Sequence, residues 1–329
     1  MIFLKSKIYY TTLKLNVLEL FDYTEVMQKI FTAGFNMKKY TCIFLYSLLI
    51  ILPMFSQKIA VLNGPSSIPC AYLMEENPEY DFEVCASAQI ALPKLIKGEA
   101  EIGFLPPNVA AKVYTENNQA VICLGVCGNG NIFLITKKDF SDLSELSKKN
   151  VACAGQGATP EYVTNYILSK KQIQDVSLDF STPNAQIAPM LISGKFDYAI
   201  VPEPFVSAAM NSDSEVKSYS LSKEFSEVTG GKDFPMTLLV VNKKYAENHK
   251  KEISEFIKKY EKAVKRTLEK PAETAVLVEK HELGLKAAVA QKAIPNCAFT
   301  WKPAKKSKAE IEMLLEIFNQ ALPDSGFYY

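Results

Sequence analysis

The chain has 329 residues, 37 Lys and Arg against 36 Asp and Glu, and 48% apolar residues. Such a length and apolar share are enough for two lobes and a large core. The net charge of +1 excludes the strongly basic character of a nucleic-acid binder and gives no general attraction to an anionic membrane. Zinc-type cysteine pairs, coiled-coil heptads and the GxxxxGK(S/T) and GxGxxG phosphate loops are missing as well.

In chain order, residues 1–36 hold no clear strand alternation, glycine turn or catalytic motif. Met37 then opens a secretion signal. Lys38 and Lys39 form its positive end, Cys42–Leu52 is an apolar stretch too short for a comfortable membrane span, and Pro53–Ser56 lead to a small residue suited to cleavage. The true start is therefore expected at Met37, cleavage near Ser56 and a mature chain from Gln57, which makes the protein periplasmic or otherwise exported. No cysteine closely follows the apolar stretch, so a lipid anchor lacks an attachment point. Removing residues 1–56 takes away six lysines and three acids and leaves 31 basic and 33 acidic residues, a net charge of −2.

Lys58–Leu62 reads as a strand, followed by the loop NGPSSIPC and the helical AYLMEEN. Asn63, Gly64, Ser66 and Ser67 combine close backbone approach with hydrogen-bonding groups at a helix N-terminus, which suits a ligand contact or a plain capped turn. Phe82–Cys85 is a second strand, and Ala86, Ser87, Ala88 and Gln89 open a helix. What comes next occurs twice. At a constant offset of 96 residues, Pro93, Leu95, Ile96, Gly98, Glu101, Leu105 and Pro106 match Pro189, Leu191, Ile192, Gly194, Asp197, Val201 and Pro202. Each copy reads as the end of a helix, a glycine stop, an acidic residue, a short buried strand and a proline turn into a new helix. Two copies one small domain apart suggest two similar α/β lobes. Ligands of open α/β sheets bind beyond the carboxyl ends of the strands, so the turns LPPN (105–108) and VPEP (201–204) are expected to face a cleft.

Between the copies the pattern predicts a helix over 109–115, a strand over 120–126, a turn cluster at 128–131, the strand IFLITKK, a short helix over 141–149 and a strand over 151–154. In the loop GQGATPE that follows, Thr159 suits the N-cap, Pro160 the first helical position and Glu161 the first turn. After the second copy, 237–245 reads as a strand, and lysine-rich helices cover 250–269, 272–279 and 308–322 with solvated charged faces. The mature part keeps Cys70, Cys85, Cys123, Cys127, Cys153 and Cys297, an even number that an oxidising compartment could pair. The apolar surroundings of Cys85, Cys123 and Cys153 favour buried free thiols instead. Arg266 is the sole arginine, so an anionic ligand would have to be held by lysines, hydroxyls and helix N-terminal amides rather than by a guanidinium fork.

The segments KLIKGEAEIGFLPPNVAAKVY, DLSELSKKNVACAGQGATPEYVTNYIL, SGKFDYAIVPEP and the closing DSGFYY together resemble the solute-binding proteins of ABC transporters, of the nitrate, sulfonate, taurine and thiamine-precursor group. The resemblance implies an α/β fold of periplasmic binding protein type II, with two Rossmann-like lobes joined by a two-strand hinge. It further implies closure over a small-molecule solute and presentation of the closed form to an ABC transporter permease. IFLITKK and TLLVVNKK fit the two crossings, which assigns residues 57–142 to the first lobe, 143–231 to the second, and 232–329 to the first lobe again with its C-terminal helices.

Carried over by position, the cleft contacts of such proteins fall on Asn63, Gly64, Ser66 and Ser67, on Ser87 and Ala88, on Pro107 and Asn108, on Asn129 and Asn131, on Gln156, Gly157 and Thr159, and on Glu203. Glu203 is the ionisable side chain inside a repeat turn, and it either meets a basic ligand or caps the following helix. The expected molecule is a monomeric binding protein without catalytic residues, cofactor, metal or nucleic-acid partner. The competing class is an enzyme on the same fold, such as a menaquinone-pathway dehydratase or a pyrimidine synthase, which needs an acid, base or histidine in the cleft. The only histidines, His249 and His281, fall in charged C-terminal helices that are expected to be exposed. A transcription-regulator effector domain would need a DNA-binding module, which residues 1–36 do not resemble.

Overall fold

The computed structural model describes Ser56–Tyr329; the signal peptide and the start expected at Met37 lie outside the described residues. The chain first lays down β1 (Gln57–Leu62), α1 (Cys70–Glu76), β2 (Tyr80–Cys85), α2 (Ala88–Lys97), β3 (Ile102–Leu105), α3 (Pro107–Glu116) and β4 (Val121–Asn129). A second group follows: β5 (Ile132–Thr136), β6 (Asn150–Cys153), α4 (Thr159–Lys170), β7 (Ser177–Asp179), α5 (Asn184–Ile192), β8 (Tyr198–Pro202), α6 (Phe205–Ser212), β9 (Lys217–Ser220) and α7 (Leu221–Thr229). The return comprises β10 (Pro235–Asn242), α8 (Lys243–Asn248), α9 (Lys250–Glu269), α10 (Pro271–Lys280), α11 (Ala287–Ala293), β11 (Phe299–Pro303) and α12 (Lys308–Ile317).

Two sheets result, ordered β11-β4-β10-β3-β1-β2 and β7-β6-β8-β5-β9. In the first, β3 is parallel to β1, with Ile102 opposite Ile59, and antiparallel to β10, with Leu105 opposite Leu238. In the second, β8 is parallel to β6, with Ala199 opposite Ala152, and antiparallel to β5, with Pro202 opposite Ile132. The repeated segment thus fills the same slot in both sheets. In each case the antiparallel neighbour is the strand laid down just after the chain changes sheet. This is the two-lobed α/β architecture expected from the sequence.

The local causes are those the repeat carries. Gly98 ends α2 in the left-handed region at φ 74, and Gly194 lies at φ 81 just after α5, a conformation that glycine adopts without a Cβ penalty. All four residues of β3 are buried, as are the first four of β8. A Cβ on Gly103 would lie 2.9 Å from Leu95 and 3.1 Å from the Ala60 carbonyl oxygen, so this glycine lets α2 pack directly on the sheet. α9 spans the residues predicted for it and buries Ile253, Phe256, Tyr260, Ala263, Val264 and Thr267 on one face, leaving its lysines solvated.

Elsewhere the elements differ from expectation. The helix predicted over 141–149 is a single 3-10 turn, Leu143–Leu146, because Asp142 accepts the Ser144 N–H and only the two leucines anchor the turn. The helix predicted to reach residue 322 stops at Ile317. Asn319 takes φ 52 and the Gln320 N–H returns to the Leu315 carbonyl, the left-handed stop that asparagine tolerates. Thr159 is the first helical residue and not the cap; Ala158 is the N-cap, and Glu161 Oε2 accepts the Gly157 N–H at 2.6 Å. IFLIT and TLLVVN, read as crossings, are each paired on both sides within one sheet. The chain instead changes sheet in the short step Gly130–Asn131 and again between α7 and β10.

Each sheet has its own apolar core. α12 belongs to both: Ile311 and Leu315 pack into the core of the first sheet, Leu314 and the C-capping Phe318 into that of the second. Each fully buried leucine there is worth about 1.5–3 kcal/mol of burial, so α12 ties the lobes together. Among the described residues no helix is long and apolar enough to cross a membrane.

Candidate functional site

The carboxyl ends of β1, β2 and β3 and of β6, β7 and β8 carry the loops singled out in the sequence. The Asn63 N–H donates to the Cys85 carbonyl at 2.9 Å and so joins the loop after β1 to the end of β2. Gly64, at φ 107, donates to the Leu283 carbonyl at 3.1 Å. The fully buried Ser67 hydroxyl donates to the Gly64 carbonyl at 2.8 Å and closes a 3-10 turn over Pro65–Ser67 that includes Ser66. Ser87 is the extended N-cap of α2 without a side-chain cap bond, and Ala88 begins the helix. Pro107 opens α3 and is buried, while the Asn108 carbonyl accepts from Gln320 Nε2 at 2.9 Å.

In the second sheet, Gly155 and Gly157 take φ 75 and 70 and leave Gln156 exposed between them. The Gly155 N–H donates to Asn184 Oδ1 at 3.2 Å, which joins the loops after β6 and β7. Thr159 is buried behind this loop.

Asn129, Asn131 and Glu203 come together where the chain changes sheet. The Glu203 N–H donates to the Asn131 carbonyl at 2.9 Å, and the Asn129 N–H to the Ala298 carbonyl at 3.1 Å. Between the two asparagines, a Cβ on Gly130 would lie 2.0 Å from Ser222 Oγ and 2.6 Å from the Phe234 ring, an approach only glycine allows. The Ser222 hydroxyl donates to the Gly130 carbonyl at 2.7 Å.

Glu203 is only 2% exposed. Its carboxylate accepts from the Ser207 N–H at 3.1 Å and the Ser207 hydroxyl at 2.8 Å, so it does cap α6, and Asn296 of the other lobe also reaches it. Burial pushes this carboxyl above the usual range, with those donors offsetting part of the rise. Asp233, half-buried, accepts the Phe234 N–H at 2.8 Å, with the Gly130 N–H and the Ser222 hydroxyl also against its carboxylate. Burial raises it too, opposed by those donors and by Lys302. Asn129 and Asn131 are 9% and 8% exposed, and both side-chain oxygens are buried without a hydrogen-bond partner. Sequence reasoning missed Asp233, Ser222 and Asn296, since their place at this crossing depends on long-range packing and leaves no local motif.

Positive charge lies elsewhere. The Arg266 guanidinium is forked between Glu76 and Glu273 and sits 3.9 Å from the centre of the Tyr72 ring. His249 stacks on Tyr245 at 4.0 Å with Nδ1 3.0 Å from the Tyr245 carbonyl, and His281 Nε2 lies 2.9 Å from Glu75. Both histidines are half-buried, not exposed as expected, because each packs against these partners. The loops 63–67, 86–89, 106–108, 129–131, 154–159 and 180–184 contain no Lys, Arg or His. Among the described residues no group of three His, Cys, Asp or Glu side chains could hold a metal. Three hollows, of about 510, 190 and 450 Å³, are lined by residues such as Lys58 and Asp81, Tyr72 and Lys262, and Asn117 and Lys243, and none includes a loop residue named above.

A sequence model of the menaquinone biosynthesis family matches residues 58–298. A search of curated proteins returns no match. The fold is similar to the crystal structure of an ABC transporter from Parabacteroides distasonis, at 25% identity and a TM-score of 0.72 over 84% of this chain and 99% of that one. It is similar also to the periplasmic aliphatic sulphonate binding protein SsuA from Escherichia coli (16% identity, 83% and 90% covered, TM-score 0.64). A third likeness is to the periplasmic nitrate-binding protein NrtA from Synechocystis PCC 6803 (13% identity, 80% of each chain, TM-score 0.57).

Proposed function

The chain belongs to the menaquinone biosynthesis family, and from its two-lobed fold and its structural likenesses we propose that it is an exported, periplasmic solute-binding protein of an ABC importer. It captures a small organic solute between its lobes and presents it to a permease, without changing it chemically. The observation that carries this reading is the duplicated sheet: two equivalent β-loop-α rims meet at one crossing, and solute touching both rims stabilises the closed arrangement by its differential affinity. The likeness to an ABC transporter structure over nearly that whole chain supports the same reading. The contacts proposed are those of the loops at Asn63–Ser67, Ser87–Ala88, Pro107–Asn108 and Gln156–Thr159, together with Asn129, Asn131 and Glu203 at the crossing.

The family match favours a second reading, an enzyme of menaquinone biosynthesis on this fold, with Glu203 or Asp233 as its acid or base. The two readings part on the fate of the solute. A compound that raises the melting temperature and is recovered unchanged after prolonged incubation supports the binding protein, whereas recovery of a converted compound moves the assignment to the enzyme. Expression of the full chain should yield periplasmic protein beginning at Gln57, and mass spectrometry finding an N-terminus at Met1 on cytoplasmic protein would overturn export.

A further inference from the structure

The crossing between the sheets has a chemical bias that neither the fold nor the family dictates. Two acidic residues, Glu203 and Asp233, touch the segment Asn129–Asn131 where the chain changes sheet. The Glu203 backbone N–H is bound to the Asn131 carbonyl, and the Asp233 carboxylate lies against the Gly130 and Phe234 amides. The same segment carries two amide oxygens, Asn129 Oδ1 and Asn131 Oδ1, on side chains more than nine-tenths buried and without a hydrogen-bond partner. A buried acceptor left unpaired is unfavourable, and native proteins leave few of them. Two on either side of one glycine, at the place where the lobes join, indicate a partner that arrives from outside the chain.

The cations do not counter this bias. Lys302, whose charge is felt at Asp233, is bound to Glu310 at 3.1 Å, Lys292 is bound to Asn211, and Arg266 is held by Glu76 and Glu273. None of the strand-end loops holds a basic residue. An oxyanion brought to the crossing would meet like charge and unpaired lone pairs, and would surrender its hydration without compensation. A molecule with N–H or O–H donors meets acceptors instead, and a cationic one also gains from the carboxylates.

We propose that the crossing takes an uncharged or cationic solute rich in N–H or O–H donors, which hydrogen-bonds to Asn129 Oδ1 and Asn131 Oδ1, and that it rejects oxyanions. This rests on the solute-binding reading and narrows it to solutes without negative charge, unlike the sulphonate and nitrate that SsuA and NrtA bind.

The test is a thermal-shift and calorimetric comparison on the full chain, with putrescine, nicotinamide and cytosine as donor probes and nitrate, sulfate and ethanesulfonate as oxyanions. A rise in melting temperature with at least one donor probe and with none of the oxyanions is the expected result. A rise with an oxyanion overturns the charge assignment while leaving the solute-binding reading standing. Silence from all six overturns the inference and counts against that reading as well. For a donor probe that binds, Asn131→Leu should weaken binding at least tenfold while the ligand-free melting temperature stays level or rises, because leucine removes an unpaired buried acceptor. A drop in the ligand-free melting temperature with affinity retained would assign Asn131 to the fold and overturn the contact; Asn129→Leu provides the same reading at the other oxygen.

Discussion

Glu203 serves two ends of the structure at once. Its carboxylate caps α6 through Ser207, and its backbone binds Asn131 across from Asn296 of the other lobe. Burial holds its carboxyl above the ordinary value, so the folded protein keeps that proton more readily than the unfolded chain does. The resulting stability is fully present below the unfolded pKa and is lost as pH rises through the higher folded value. Asp233 is shifted the same way for the same first cause. Surface carboxylates run oppositely: Glu75 is lowered by Lys280 and His281, Glu273 by Lys270 and Arg266, and their contribution is lost as pH falls. Glu203→Gln should therefore gain stability relative to the parent as pH is raised from about 4 to about 7, measured as the difference in urea midpoints. A difference that stays constant across that range would show that Glu203 ionises as freely in the folded protein as in the unfolded chain. Glu203 was legible from the sequence because it sits in a repeat turn; Asp233 was not, since GGKDF carries no period and only its packing against Gly130 gives it a role.

At the scale of elements, the closing DSGFYY is a staple on the first sheet. Asp324 Oδ1 accepts the Gly326 N–H at 2.8 Å and the Tyr114 hydroxyl at 2.5 Å. Burial, and then Asp324, push the Tyr114 hydroxyl up to about 12. Phe327 is fully buried with its ring 5.2 Å from that of Tyr114, and the Tyr329 N–H donates to the Cys123 carbonyl at 3.0 Å. Phe327→Ala should cost about 3–5 kcal/mol, as expected for a large buried aromatic, read from chemical denaturation. A loss below about 1 kcal/mol would mean that the tail packs independently of the sheet. Elements with strong local signals were legible: β3 and β8 from their apolar runs and glycine stops, α9 from its 3.6-residue period. The strands β7, β9 and β11 were not, because they are short edge strands whose mixed residues, SLD, KSYS and FTWKP, show neither alternation nor a continuous apolar run.

At the scale of the molecule, the six cysteines among the described residues are free and buried, in line with the preference for thiols over disulfides. Desolvation pushes Cys127 and Cys153 up to about 12 and raises Cys70, Cys85, Cys123 and Cys297 as well, so none is a reactive thiolate at neutral pH. Native protein should resist thiol alkylation, all six should label on unfolding, and reductant should leave the melting temperature unchanged. Fast labelling of the native state, or a reductant-sensitive melting temperature, would contradict that arrangement. The two cores, joined by α12 and by the step at Gly130–Asn131, make the crossing the place where movement between lobes would act on bound solute.

The amino-acid sequence by itself determined the duplication, the α/β class and the rim of strand-end loops that carries the proposed contacts, because glycine stops, proline turns and apolar runs act over a few neighbouring residues. Only the tertiary structure decided the chemistry of the crossing. Asp233, Asn296 and Ser222 are distant in sequence from Asn129 and Asn131, and only the folding of two sheets onto one junction brings a buried and a half-buried acid to the segment that carries two unpaired amide oxygens. The same packing draws the sole arginine into a pair of surface carboxylates. Such charge balance depends on long-range contacts, which no local pattern encodes.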